Sequence, residues 1–308
     1  MRYLRIVLLF AFALALAAGV APGECFAPAL TVEISSASPR QGGLVAVTVK
    51  SDVPLSSAVV SSGGRESPME RDGEGRLFLA LVGVDFESAV GPRRVDVAVE
   101  GLCGDRHAGR RELRVVSGKF PVQKLEVAPE YVEPPESELD RIRQDKEKVG
   151  RVWATGDPRR MWSGPFVLPV DATARDNFGS RRVFNGKPRS SHEGADLSAP
   201  EGAAVAAPGP GRVALADDLY FSGGTVILDH GAGLFTMYFH LSRIDVKAGD
   251  ILAPGSPIGA VGATGRATGP HLHWGARVNR ARINPLGLLQ LPAWAVEPAN
   301  SRLTSQLE

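Results

Sequence analysis

The stretch Pro270-His271-Leu272-His273-Trp274-Gly275-Ala276-Arg277-Val278 (residues 270–278) alternates polar and apolar side chains along its length. Successive side chains of a β-strand point to opposite faces, so this alternation predicts a strand. Its two histidines share a face with Gly275, which leaves room beside the imidazoles. The opposite face is apolar and consists of Leu272, Trp274, Ala276 and Val278. We therefore predict a strand with one core face and one face that presents two imidazoles, of which one binds metal and the other stands beside it.

A second strand with the same alternation is predicted for residues 234–241. Thr236, Tyr238 and His240 share one face of this strand, and its other face is apolar. A stripe that joins a phenol and an imidazole, opposite an apolar stripe, is typical of a strand that lines a site. The alternative is that the polar stripe is simply the solvent face of an antiparallel sheet.

A third motif, His192-Glu193-Gly194-Ala195-Asp196, supplies an imidazole and a carboxylate four residues apart. In an extended chain these two side chains share a face. Residues 185–191, which precede the motif, have the composition of a loop. A loop that brings His192 and Asp196 to a strand histidine creates a His₂Asp set. Three protein ligands with an open fourth position are the pattern of catalytic zinc sites.

The whole chain has the composition of an ordinary globular protein. It contains 308 residues, is 44% hydrophobic and 22% charged, and carries a net charge of +1, so no basic excess points to a nucleic-acid partner. Glycine (35) and proline (23) are abundant, and helical periodicity is nearly absent beyond residue 161. These features predict an all-β protein: an immunoglobulin-like sandwich followed by an antiparallel β-domain.

Shifts in composition divide the chain into five segments. The linker is predicted to contain a solvated helix over residues 138–148 with Ser137 as its N-cap. The predicted segments are a signal peptide (1–27), a β-sandwich accessory domain (28–120), a charged, partly helical linker (121–160), the C-terminal β-domain (161–290) and a tail (291–308).

The N-terminus has the pattern of a secretory signal. Arg2 and Arg5 precede an apolar run over residues 6–20, which is shorter than the roughly 20 residues of a membrane span. Cleavage after Ala27 predicts a periplasmic or secreted protein without a stable membrane span, and a retained anchor is the alternative. Cleavage after Ala27 leaves Cys103 alone, whereas earlier cleavage permits a Cys25–Cys103 disulfide.

The three histidine motifs together resemble peptidase family M23, the lysostaphin-like zinc endopeptidases. The resemblance rests on His192-x-x-x-Asp196, Tyr238-Phe239-His240-Leu241 and His271-x-His273, and it extends over nearly all of residues 160–287. It includes the glycine-rich run from Gly262 to Pro270. It implies the duplicated-hybrid-motif type of β-domain, and the N-terminal part resembles, more weakly, the accessory domain of some secreted members.

The resemblance also implies a role for each residue of the constellation. His192, Asp196 and His273 match the Zn²⁺ ligands, and His271 matches a histidine taken as general base. His240 matches the other active-site histidine, which stabilises or protonates the reacting group. The choice of base and acid between His240 and His271 stays open here. The implied substrate is a peptide bond in the stem-peptide cross-links of peptidoglycan.

The resemblance leaves two alternatives to an active enzyme with an open cleft. Some relatives lack zinc ligands and act as activators or binding modules for cell-wall amidases, but this chain has a residue at every ligand position. An enzyme whose linker or N-terminal domain covers the cleft is the second alternative. Oligomeric state is not encoded in any of these motifs.

Four further polar residues are candidates for the site, two of them histidines and two of them in the segment before His192. His107 is expected to be an exposed loop histidine, and His230 a structural histidine at a strand end. Asn185 and Arg189 precede the first ligand, so they either contact substrate or are ordinary loop residues.

Overall fold

The computed structural model describes residues 27–291. Apart from Ala27 and Leu291, the predicted signal peptide and tail lie outside this range, and so does Cys25. Cys103 is disulfide-bonded. Within the described range, no helix combines the length of a membrane span with its apolar character.

The N-terminal part is built from eight strands that form two four-stranded antiparallel sheets. The strands are β1 (Leu30–Ile34), β2 (Leu44–Ser51), β3 (Leu55–Ser62), β4 (Arg65–Pro68), β5 (Glu70–Arg71), β6 (Leu77–Gly83), β7 (Gly91–Gly101) and β8 (Arg106–Val115). The sheet orders are β1-β2-β6-β5 and β4-β3-β7-β8. Val47 of β2 and Val97 of β7 meet in one apolar core. The predicted two-sheet β-structure is present, and its immunoglobulin-like topology stays a prediction.

The linker contains one strand, two 3-10 turns and one α-helix. They are β9 (Val122–Leu125), the turns Pro129–Tyr131 and Glu136–Glu138, and α1 (Leu139–Ala154). The helix was predicted, but Ser137 is not its N-cap, because Ser137 lies inside the preceding 3-10 turn. The helix is also not fully solvated. Val152 and Trp153, beyond the stretch used for the prediction, pack against Phe235 of the C-terminal sheet.

The C-terminal part is a set of mostly antiparallel strands. They are β10 (Thr173–Arg175), β11 (Arg181–Phe184), β12 (Lys187–Ser191), β13 (Gly194–Ser198), β14 (Ala204–Ala206), β15 (Gly211–Leu219), β16 (Gly223–Asp229), β17 (Leu234–Leu241), β18 (Arg243–Ile244), β19 (Ile251–Leu252), β20 (Pro257–Ala260), β21 (Leu272–Val278) and β22 (Ala281–Ile283), followed by a 3-10 helix (Pro285–Gln290). The main sheet has the order β10-β13-β21-β17-β16-β15-β19, with β22 beside β21. The all-β class predicted from the sequence is confirmed.

The two faces of the main sheet have different functions. One face buries Trp274 of β21, Tyr238 of β17 and Leu228 of β16 in the main apolar core. The apolar face predicted for residues 270–278 is confirmed, because all four of its side chains belong to this core. Helix α1 covers part of the opposite face, and the histidine site occupies another part.

Aromatic and ionic contacts join the N-terminal part to the C-terminal sheet. Phe86, Phe120 and Phe178, from the first part, the linker and the second part, pack edge to face with centroids 5.9–6.2 Å apart. Arg282 of β22 reaches Asp85 at 2.9 Å and Glu193 at 3.1 Å. Glu193 lies between His192 and β13, so this ion pair network ends beside the site.

His230 makes the stability of the fold depend on pH. It is fully buried, its Nδ1–H donates to the Pro210 carbonyl (2.6 Å), and its Nε2 accepts from the Thr236 hydroxyl (2.7 Å). Burial lowers its pKa to about 4. The unfolded chain takes up this proton below about pH 6.5 and the folded chain only below about pH 4, so stability is lost as pH falls through that window.

We expect this group to remove about 3 kcal/mol of unfolding free energy between pH 7 and pH 4. Urea unfolding of the wild type and of His230→Asn at both pH values measures it. The variant should lose less stability on acidification than the wild type. Equal losses in the two proteins would assign the pH dependence to other groups.

Candidate metal and catalytic site

Three adjacent strands bring the core of the site together. Asp196 of β13 lies directly opposite His273 of β21, and His273 lies opposite Phe239 of β17. Directly paired residues of neighbouring strands share a face, so the three side chains form a row across the sheet. The His273 ring stacks parallel on the Phe239 ring, with centroids 5.1 Å apart and an interplanar angle of 3°.

His192 completes this group from the chain segment between β12 and β13. Its Nδ1–H donates to the Asn177 carbonyl (3.1 Å), which leaves Nε2 unprotonated and aimed at the site. Nε2 lies 2.8 Å from His273 Nδ1 and 3.0 Å from Asp196 Oδ1. The three potential ligand atoms all lie within 4.8 Å of one another. The structure therefore brings together the three residues predicted to form a His₂Asp set.

The segment before His192 is a hairpin, and the loop predicted from its composition is wrong. Strands β11 and β12 pair in an antiparallel manner. Asn185 and Gly186 form their two-residue connection with φ values of 49° and 79°. Asn-Gly is the preferred sequence of such turns because both positions require positive φ. The hairpin holds His192 at the end of a paired strand.

Asn185 and Arg189 hold the linker against this hairpin. The Asn185 side chain accepts from the Val127 amide (3.0 Å) and donates to the Val127 carbonyl (2.9 Å). Arg189 donates to the Val132 carbonyl (2.7 Å). Strand β9 also pairs in parallel with β11. The linker thus forms an added layer on the hairpin that carries His192.

His240 reaches the site by leaving regular strand geometry. Its φ is +65°, and the register of β16 and β17 shifts between Gly224 and Val226. Thr236 and Tyr238, which were predicted to line the site with it, lie instead in the core, where their hydroxyls are 2.7 Å apart. That part of the prediction is wrong because alternation does not continue through a residue with left-handed backbone geometry.

One glycine-rich loop orients both of the remaining histidines. The Nδ1–H of His240 donates to the Thr264 carbonyl (2.8 Å), and the Nδ1–H of His271 donates to the Gly269 carbonyl (2.8 Å). Because a carbonyl only accepts, Nδ1 carries the proton in the neutral form of each imidazole, and Nε2 then carries the lone pair. His271 Nε2 lies 3.6 Å from Asp196 Oδ1, and the two imidazole centroids are 4.9 Å apart.

The histidines and the aspartate of the site have the protonation states that binding of a metal cation requires. Burial lowers the pKa of His192, and it lowers the pKa of His273 to about 4. Burial, together with the nearby His273 and His271, lowers the pKa of His240 to about 3. Burial opposes ionisation of Asp196, but the imidazoles of His192 and His273 hold its pKa far below the usual range. Neutral imidazoles and an ionised carboxylate are the forms that bind metal.

A second layer of polar groups fixes the Asp196 carboxylate. Its Oδ2 accepts from Asn177 Nδ2 (2.7 Å) and from Arg182 Nη2 (3.0 Å), which turns Oδ1 toward the imidazoles. The backbone amide of Asp196 donates to Asn177 Oδ1 (3.1 Å). No motif in the sequence predicted a role for Asn177 or Arg182. Both meet Asp196 only in the folded chain, Asn177 from the segment between β10 and β11 and Arg182 from β11 itself.

The other two histidines lie apart from this constellation. His230 is a buried structural histidine, as its apolar neighbours predicted. His107 is in β8 rather than in a loop, and it pairs with Asp105. Its strand position follows from the long β7–β8 pairing, in which it lies opposite Val99.

Comparison with known proteins places this site in a family. Residues 190–285 match the model of peptidase family M23. A solved structure of a Pseudomonas aeruginosa protein assigned to peptidase M23 superposes with a TM-score of 0.62 at 30% identity, covering 82% of this chain and 95% of that one.

Curated relatives match the same region. Peptidoglycan DD-endopeptidase ShyA of Vibrio cholerae is 38% identical over 121 residues, which cover 38% of this chain and 28% of the relative. DD-carboxypeptidase/endopeptidase Mpg of Neisseria meningitidis is 39% identical over 97 residues, which cover 32% of this chain and 22% of the relative. The matches therefore span about a quarter of the length of these curated relatives.

Proposed function

Because this chain belongs to peptidase family M23, we propose that it is a zinc-dependent endopeptidase that hydrolyses peptide bonds in peptidoglycan cross-links. The observation that carries the proposal is the convergence of His192, Asp196 and His273 beside two further histidines. The names of the curated relatives support peptidoglycan as the substrate. A periplasmic or secreted location belongs to the same proposal.

The residues fit a divalent cation. His192 Nε2 and His273 Nδ1 lie 2.8 Å apart, and both face the Asp196 carboxylate. When neither nitrogen carries a proton, their lone pairs face each other and repel, and a cation bound between them removes this repulsion. Two nitrogens and one carboxylate oxygen match the three-ligand sets of catalytic zinc. Zinc bound there lowers the pKa of a water ligand from 15.7 to about 7 and polarises a carbonyl.

In this proposal the two remaining histidines handle protons and charge. His271 Nε2 is close to the Asp196 carboxylate, so we assign His271 as the general base that accepts a proton from the attacking water. Its Nδ1–H bond to the Gly269 carbonyl stabilises the resulting imidazolium. His240, whose ring centroid lies 4.9 Å from that of His271, hydrogen-bonds the reacting group beside it.

The domain division also belongs to the proposal. Residues 28–120 form an accessory domain, residues 121–160 a linker, and residues 161–290 the catalytic domain.

The cavity beside the site is lined by residues from the hairpin, from β17 and from the glycine-rich loop, among them Ser190, Phe239 and Arg266. A cleft with these walls suits an extended peptide.

Zinc analysis and product identification test this function together. We expect the purified protein to hold about one zinc per chain. It should also convert cross-linked muropeptide dimers into monomers, and mass spectrometry of the products identifies the hydrolysed bond. A protein that holds less than about half an equivalent of zinc and leaves the dimers intact would instead be a binding or activating module.

Arg182→Met should weaken metal binding without removing a ligand. Arg182 fixes Asp196 through Oδ2, and loss of such a supporting hydrogen bond typically costs about 10–100-fold in metal affinity. Competition with a chelator measures the change. Arg181→Met is the matched control, because Arg181 is exposed on the same strand. Equal zinc affinity in both variants would show that Arg182 does not support the site.

A further inference from the structure

Arg266 occupies an unusual position in the cavity beside the histidine site. It lies between Thr264 and Gly269, the two residues whose carbonyls orient His240 and His271. Its side chain lines the same cavity as His192, His240 and His273. Its backbone amide donates to the Phe221 carbonyl (2.8 Å), which fixes the base of the side chain.

Two aromatic rings hold the guanidinium of Arg266. Its Cζ lies 4.8 Å from the centroid of Phe184 and 4.9 Å from that of Phe221. Stacking against rings holds the plane of a guanidinium while its N–H edges stay available. Among residues 27–291, no side-chain hydrogen bond and no ion pair is formed by this guanidinium. An oriented fork of donors therefore faces the cavity without a protein acceptor.

The charged side chains around Arg266 do not neutralise the positive charge of its guanidinium. The charged groups that influence it are Arg182 and Arg189, and burial, with these two cations, lowers the pKa of Arg266 to about 10. The two carboxylates at the cavity are engaged elsewhere. Asp196 faces the imidazoles and Arg182, and Glu193 pairs with Arg277 (2.9 Å) and Arg282 (3.1 Å).

A partly desolvated cation without an acceptor is costly, and a ligand that brings a negative charge relieves that cost. A divalent cation at the His₂Asp group adds further positive charge to the same cavity. The free anionic group that a peptide carries is a carboxylate. A guanidinium held in a plane matches a carboxylate with two parallel N–H···O bonds.

We propose that Arg266 binds a free carboxylate of the substrate peptide beside the scissile bond, so that the enzyme prefers cross-links that carry this carboxylate to cross-links in which it is amidated. This inference rests on the proposed function and adds to it the charge of the substrate. Arg266 then acts as a specificity residue: it sets which peptide enters the site and in what register.

A pair of synthetic cross-linked peptides tests the inference. They are identical except that the residue on the amine side of the scissile bond carries a carboxylate in one and a carboxamide in the other. We expect wild type to favour the carboxylate peptide by roughly ten-fold or more in kcat/KM. Arg266→Met keeps the aliphatic packing between the rings and should bring this ratio close to one. Arg266→Lys, which keeps the charge without the fork, should give an intermediate ratio.

Arg243→Met is the matched control, because Arg243 is an exposed arginine on β18 whose partner is Asp245. It should keep the wild-type ratio. A wild-type ratio near one, or an unchanged ratio in Arg266→Met, would overturn the inference. Because each ratio is taken within one protein, partial misfolding of a variant does not affect it.

Binding measurements separate this inference from the proposed hydrolysis. Calorimetry with the same two peptides in the presence of EDTA, where zinc-dependent cleavage is prevented, reports peptide affinity alone. Wild type should bind the carboxylate peptide about ten-fold more tightly, and Arg266→Met should bind both equally. If neither peptide is hydrolysed with zinc, the proposed function fails, and the binding preference still decides the role of Arg266. If the wild type binds the two peptides with equal affinity, the proposed role of Arg266 is wrong.

Discussion

His273→Ala is expected to abolish zinc binding and peptide hydrolysis together. His273 is the central member of the proposed ligand group, with Nδ1 2.8 Å from His192 Nε2 and 3.2 Å from Asp196 Oδ1. Its removal leaves one imidazole and one carboxylate, which is fewer than the three protein ligands of catalytic zinc sites. We expect zinc content to fall from about one equivalent to below about a tenth, and hydrolysis to fall to background.

Metal analysis and hydrolysis assays on the same preparation measure both losses. Because His273 is buried and stacked on Phe239, circular dichroism must show that the variant remains folded. His230→Asn at pH 7 is the matched control, since it removes a buried histidine that directly follows β16 and lies outside the site. It should keep both zinc and turnover. A folded His273→Ala variant that retains a full equivalent of zinc would exclude the proposed ligand set.

The strand that carries His273 was predictable because its surroundings are regular. Strand β21 is central and pairs in unbroken register with β13 and β17. Under those conditions alternation alone assigns each side chain to a face, and Trp274 lies in the core as predicted. The distance between His192 and His273 in the sequence does not matter, because β13 and β21 are direct neighbours in the sheet.

Alternation failed where the backbone is irregular. Thr236 and Tyr238 follow the core face of β17, whereas His240 turns to the site at a φ of +65°. The histidine at position 240 does not predict a left-handed backbone conformation, since this conformation is uncommon for residues other than glycine. The Asn185-Gly186 hairpin is a different case, because the Asn-Gly turn indicates a hairpin whereas the composition of residues 185–191 is typical of a loop.

Contacts between distant segments were the least predictable part of the site. The roles of Asn177 and Arg182 depend on the side chain of Asp196 meeting the segment after β10 and strand β11. The position of Arg266 depends on Phe184 at the end of β11 and on Phe221 in the turn between β15 and β16, and within the described residues no carboxylate pairs with its guanidinium. Neither arrangement corresponds to a recognisable spacing of residues in the sequence, so only the folded chain shows which arginine hydrogen-bonds Asp196 and which lines the cavity.

His271→Ala is expected to separate metal binding from turnover. His271 precedes β21 and is not needed for the group of three ligand atoms, so the variant should keep most of its zinc. Removal of a general base typically costs about 10²–10⁴-fold in rate. The loss should appear in kcat with little change in KM, because the lost interaction acts on the reaction rather than on peptide binding.

The comparison with His273→Ala makes the test specific to the His271-x-His273 pair. Both side chains come from one chain segment, yet His271 Nε2 stands 3.6 Å from Asp196 Oδ1, beside the ligand atoms rather than among them. His271→Gln keeps a polar group in this place without a basic nitrogen, so it should also keep zinc and lose turnover. If His271→Ala loses zinc as completely as His273→Ala, the proposed division of the pair into base and ligand is wrong. In that case His240, whose Nε2 is likewise free because Nδ1 donates to Thr264, becomes the residue that takes the proton.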